Sequence, residues 1–339
     1  MRRLGIFASG ASNGFSNPTI AMGGGVASPW IYAYPWTNVG YGTKYSDPAT
    51  IPTGRLWGVN FSSNKTYLAV SGDTSPYAYV YPWGPGFGTV YSAPGALPTF
   101  PTTAVAFSPD GNTIFFGTQI SPFIQAYPWS VSGYGTKYSD PSAAAYDGED
   151  IAFTSSGDTV FLATVLSPYI HAYAWSSGFT SKYSNPSTLP SGQGLGVSVN
   201  PTNNVVLVTG NTSPYVHAYT WSAGFTSKYS NPSVLPTNTC YSGKFFPSGN
   251  DIAMATISSP YILAYAWSSG FSTKYTNPGT LASGSGLALA VRPTGDAVSM
   301  GTSASPYTIT YAWSSGFTTK FTDPSTLPSG YISSVSFTN

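Results

Sequence analysis

Short apolar runs alternate along this chain with clusters of Pro, Gly, Asn and Ser, and the whole arrangement returns every 46 or 47 residues. One copy, from Leu195 onward, divides into runs at residues 197–199, 205–208, 215–221 and 226–229. The first has relatives at 105–107 and 151–153, the second at 114–116 and 160–162. Alternating runs punctuated by turn residues read as strands and hairpins. A Ser-Pro-aromatic triplet marks each copy, beginning at Ser28, Ser75, Ser121, Ser167, Ser213, Ser259 and Ser305. Four strands in a unit of this length, repeated seven times, predict an all-β chain folded as a seven-bladed β-propeller.

The ends of the chain predict how the ring closes. Repeat alignment sets Asn339 where Ser63 stands and Asn17 where Asn64 stands, so the last copy stops in the hairpin from which the first resumes. Residues 335–337 are therefore expected as the innermost strand of a blade whose other strands are at 19–23, 30–36 and 42–45. A ring closed by both ends has no open edge between first and last blades. The propeller is expected over 17–339, with 1–16 as an extension outside the repeat that serves as an arm or partner anchor through Arg2 and Arg3.

Large side chains alternate with small ones in the third run of each copy, as in Tyr32, Tyr34 and Trp36 around Ala33 and Pro35, or Tyr265 and Trp267 around Ala264 and Ala266. Side chains alternate across a strand, so each blade should offer a bulky face to the shallow face of a neighbour.

Charge changes the picture mainly by its scarcity: 7% of residues are charged and the formal net charge is +1. No basic stripe for nucleic acid is present, and no apolar run reaches the roughly 18 residues of a spanning helix. The start, MRRLGIFASG, lacks the apolar core of a secretory signal, and Cys240 stands alone. Neither nucleic acid nor membrane insertion is expected.

Candidate chemistry is thin. His171 and His217 share a column with Tyr32, Tyr79, Gln125, Leu263 and Ile309, which marks it as a packing column. Six lysines in the outer strand (Lys44, Lys137, Lys182, Lys228, Lys274, Lys320) each precede an Asp or Asn by three residues and protect an exposed edge. Asp147, Glu149 and Asp150 form the one acidic cluster; they could hold Ca²⁺, but the full calcium loop is missing and a solvated loop is favoured. Lys244 replaces a small inner-strand residue and is placed to reach a central channel. No nucleophile elbow, phosphate-cradling loop or metal-ligand spacing occurs, so no catalytic residue, metal or cofactor is expected and the chain reads as a non-enzyme. The loops after the outer strands differ from copy to copy, which is where a rigid scaffold carries specificity. Arg55, Trp57, Phe100, Tyr146 and Tyr241, with the acidic trio, are the expected ligand or partner contacts.

The phrase AFSPDGN at residues 106–112 resembles the inner-strand turn of WD-repeat propellers, and Trp129, Trp175 and Trp221 end third strands where that family has Trp. The Asp that follows in that family is replaced by Ser130, Ser176 and Ser222, and its Gly-His pair is absent, so its hydrogen-bond network is not carried over. Residues 167–192, SPYIHAYAWSSGFTSKYSNPSTLPSG, resemble propeller repeats of predicted tailed-bacteriophage proteins, a likeness that extends over 17–339. It implies a virion protein of the tail or capsid surface, acting in host recognition or assembly and meeting other virion proteins or a host receptor or glycan. The alternatives are a lectin-like, carbohydrate-binding propeller and a cytoplasmic protein-interaction scaffold.

Overall fold

The computed structural model of the protein describes residues 18–338 apart from 97, 99 and 143–146. Among them the chain forms seven four-stranded antiparallel sheets, as the repeat requires. Six sheets run in chain order from the axis outward. The seventh takes its innermost strand, Ile332–Phe337, from the far end of the chain and adds Thr19–Gly24, Ile31–Thr37 and Gly40–Tyr41. Ile20 pairs with Phe337 and Met22 with Val335 across the closure. Thr19 and Thr338 extend it: the Thr19 amide donates to the Thr338 hydroxyl at 2.9 Å, and the Thr338 amide to the Thr19 carbonyl at 2.8 Å.

Outer strands differ from expectation in three blades. Phe225–Lys228 and its three equivalents in the last blades are four residues long, whereas Gly40–Tyr41, Gly86–Phe87 and Gly133–Tyr134 are two. The cause lies in the third strand, where Pro35, Pro82 and Pro128 replace Ala174, Thr220, Ala266 and Ala312. The Pro35 carbonyl still accepts from Gly42 at 2.8 Å, but proline has no N–H to return on the same edge, and the ladder stops.

Packing between blades follows the large-small alternation. Tyr34 and Trp36 lie against Ala288, Ala290 and Ala297 of the preceding blade, and Ala21 and Ala33 on the opposite face receive Tyr81 and Trp83 of the next. Each third-strand Trp meets a ring of its own outer strand and at least one ring of the preceding blade. Trp129 is edge-on to Tyr134 at 4.9 Å and to Tyr91 at 5.0 Å; Trp221 is edge-on to Phe225 and Tyr183, both at 5.0 Å. Edge-to-face rings at this spacing add roughly 0.5–1.5 kcal/mol per pair beyond burial. Tyrosine hydroxyls tie the same interface: Tyr81 donates to the Thr50 carbonyl at 2.9 Å and Tyr127 to the Ala96 carbonyl at 2.7 Å. Each of the six rim lysines donates to the Asp or Asn three residues on, so the lysine column is spent within its own blade.

Candidate functional site at the channel mouth

All seven innermost strands carry a β-bulge at the same place. Pairing passes from Leu56↔Gly72 to Gly58↔Ser71 and skips Trp57; by the same step the ladders skip Thr103, Glu149, Leu195, Tyr241, Leu287 and Ser333. A bulged residue is released from the ladder and its side chain re-aimed. Here all seven line one cavity of about 510 Å³ on the ring axis, within the size range of small-molecule sites. In ring order from Ser333 through Trp57 and Thr103 to Glu149 the wall is polar or aromatic; from Leu195 through Tyr241 to Leu287 it is apolar or aromatic. A small residue follows each bulge in most blades because neighbouring inner strands approach closely. A Cβ on Gly58 would come within 2.9 Å of the Val105 amide nitrogen.

Each innermost strand has one edge that no strand pairs, and its orphaned amides must be satisfied from elsewhere. Polar side chains of neighbouring inner strands do this. Ser334 accepts from the Val59 amide at 2.8 Å, Asn60 from Phe107 at 3.0 Å, and Ser198 from Phe245 at 3.2 Å. Asp150 does the same at 3.0 Å from the Val197 amide and also accepts from its neighbour Ile151 at 2.9 Å. Lys244 comes from two blades away. Its Nζ donates to Asp150 Oδ2 at 3.0 Å and to the Val197 carbonyl at 3.2 Å. An ammonium has three protons, so one is left over.

Glu149 differs from its neighbours. It lies on the cavity wall with no hydrogen-bond or ion-pair partner among the described residues. Burial, with the negative charges of Asp147 and Asp150 beside it, pushes its carboxyl up from 4.5 to about 7. Burial raises the Asp147 carboxyl as well. At the rim, Arg55 donates from Nε to Asp73 at 2.8 Å and lies 5.3 Å from the Trp57 ring centroid, with Nη1 3.5 Å from the Tyr331 hydroxyl.

Of the residues expected from sequence, Trp57, Glu149, Asp150 and Tyr241 converge on this cavity and Arg55 stands over it. Phe100 is 42% exposed and does not line it; neither does Asp147. Tyr146, Arg2 and Arg3 lie outside the described residues, as does the extension at 1–16. The candidate contacts lacked Lys244, although its inner-strand position had signalled a reach into the channel. They also lacked Asn60, Ser198, Ser333 and Ser334, which no motif singles out. Among the described residues no three His, Cys, Asp or Glu groups converge for a metal, and Asp150 is engaged by Lys244 and two amides. The histidines are packing residues: His171 and His217 are buried, and burial, with a nearby lysine, lowers both to about 4. His217 Nε2 accepts from the Ser191 amide at 3.2 Å.

The fold places the protein among seven-bladed propellers, with one cavity on the ring axis. No protein-family model and no curated protein sequence matches the chain. Solved structures do. A protein from Bacteroides fragilis, provisionally assigned as a 6-phosphogluconolactonase, is similar with a TM-score of 0.73 at 10% identity, over 96% of this chain and 98% of that one. A Bacteroides uniformis protein with the same provisional assignment gives 0.69 at 11%, over 95% and 99%. The periplasmic gluconolactonase PpgL of Pseudomonas aeruginosa gives 0.72 at 12%, over 96% and 99%.

At these identities the likeness establishes the fold. It also corrects two expectations. Three of the propellers that superpose over nearly the whole chain are named for lactone hydrolysis, and the mouth holds an unpartnered carboxyl where no acid or base had been expected to converge. The expectation of a non-enzymatic virion protein is corrected accordingly, and the resemblance to tailed-bacteriophage repeats finds no support among these structures.

Proposed function

We propose that this protein hydrolyses the lactone of a polyhydroxylated acid at the channel mouth, with Glu149 as general base. The observation that carries the reading is Glu149 itself, an unpartnered carboxyl on the wall of the cavity, held near 7. A base poised close to the working pH is half ionised there and still strong enough to take a proton. The names of the similar propellers support the substrate class, and the hydroxyls of Thr103, Ser333 and Ser334 beside the Trp57 ring suit a hydroxylated ring.

The chemistry follows from these groups. Ionised Glu149 takes a proton from water as its oxygen bonds to the lactone carbonyl carbon. The remaining N–H of Lys244, which Asp150 and the Val197 carbonyl hold in place, hydrogen-bonds to the developing oxyanion and stabilises its charge, the proton staying on the ammonium. When the tetrahedral centre collapses, the ring C–O bond breaks and the alkoxide takes the proton back from Glu149. The products are the open-chain carboxylic acid and its freed hydroxyl, with the base restored.

A pH-stat assay on five- and six-membered aldonolactones, with the uncatalysed rate subtracted, tests the reading. Glu149→Gln should lower kcat by roughly 10²-fold or more, and wild-type kcat/KM should fall as pH drops through about 7, where Glu149 becomes protonated. No turnover above background by the wild-type protein on the whole panel would overturn it.

A further inference from the structure

Resting on that reading, we infer that the site selects an uncharged lactone and discriminates against its phosphate ester. The cavity wall holds three charged side chains, Glu149, Asp150 and Lys244. Lys244 is the one cation among them, and Asp150 matches its charge at 3.0 Å. What remains facing the substrate is negative whenever Glu149 is ionised, as hydrolysis requires. Arg55, the nearest candidate for a phosphate, stands outside the wall with its charge paired to Asp73 at 2.8 Å and its plane over Trp57. On the opposite arc the bulged residues Leu195, Tyr241 and Leu287 offer one phenol, and Ser198 and Ser242 further along the same strands add only neutral hydroxyls beside the paired Lys244.

A phosphate monoester brings a charge of about −1.5 to −2 with strongly hydrated oxygens. In this mouth it would meet a negative wall on one side and lose its hydration against leucine on the other, with no unpaired cation to offset either cost. A neutral hydroxylated lactone meets neither penalty. Its hydroxyls reach the serine and threonine arc, and its C–H face lies on the aromatic and leucine arc. Of the similar propellers, the chemistry of this mouth fits the substrate named for the Pseudomonas aeruginosa protein rather than that named for the two Bacteroides proteins.

The test compares initial rates on glucono-1,5-lactone and its 6-phosphate at pH 7.5, using the full chain and Leu287→Lys. Leu287 sits on the apolar arc three blades from Glu149, so the substitution adds a cation without a matching acid. Wild-type kcat/KM should be at least tenfold higher for the neutral lactone. Leu287→Lys should raise the relative kcat/KM for the phosphate at least fivefold. Equal rates, or a preference for the phosphate, would overturn the inference. If neither lactone is turned over, hydrolysis fails as a reading, and ligand-observed NMR on the same pair decides the selection separately. Binding of the neutral lactone alone supports it; binding of the phosphate, or of neither, overturns it.

Discussion

The lone carboxyl at Glu149 should destabilise the protein that carries it, and the effect can be worked out in advance. Its pKa rises from 4.5 to about 7 because the fold buries it beside Asp147 and Asp150. A raised carboxyl favours the protonated form of the folded state. Stability is therefore fully present below about pH 4.5, falls as the pH climbs toward 7, and stays at the lower level beyond. The interval from 4.5 to about 7 corresponds to at most about 3.4 kcal/mol, and water in the open mouth brings the expected loss to roughly 1.5–3 kcal/mol. Glu149→Gln mimics the protonated carboxyl at every pH. Urea unfolding of both proteins at pH 4.5 and 8.5 should show a small difference at the lower value and the variant ahead by that amount at the higher. Asp158, held low chiefly by the Thr154 hydroxyl, and the two buried histidines titrate in both proteins and cancel. A difference that stays flat between the two pH values would refute the burial argument, and the general-base assignment with it.

Two further outcomes follow from other parts of the ring. Lys244→Met leaves Asp150 charged and partly buried without its partner; it should cost about 1–2 kcal/mol, and adding Asp150→Ser should recover most of the loss in denaturant unfolding. Trp129→Ala empties the junction between Tyr91 and Tyr134 and should cost about 3–5 kcal/mol, seen as a drop in Tm with the near-ultraviolet aromatic spectrum weakened.

The blades were legible because a repeat shows its own pattern seven times, and the strand at 335–337 could be assigned to the first blade by counting alone. The short outer strands were not foreseen, although Pro35, Pro82 and Pro128 stood in view: proline was read for its size and not for its missing N–H. The site was half legible. Trp57, Glu149 and Tyr241 are legible as aromatic or acidic residues in the stretches after the outer strands that differ from copy to copy, yet Thr103 and Ser333 hold the same repeat position and look like ordinary strand residues. What unites them is a bulge, and a bulge has no residue signature here. The Lys244–Asp150 pair was hidden for a different reason. Its members stand two blades apart in the ring, and nothing in the chain near either residue points to the other.

A position that has left its ladder is also freed from the ladder's demands. The side chain at a bulge carries no part of the ladder, whereas the residue on either side is held by partners across the sheet. Thr103 and Ser333 turn that freedom back on the ring, donating to the Gly148 and Leu56 carbonyls of neighbouring blades. The ring therefore resembles a combination lock whose dials turn on a fixed body, so that copies of one motif carry Trp, Glu and Leu at equivalent points of their blades.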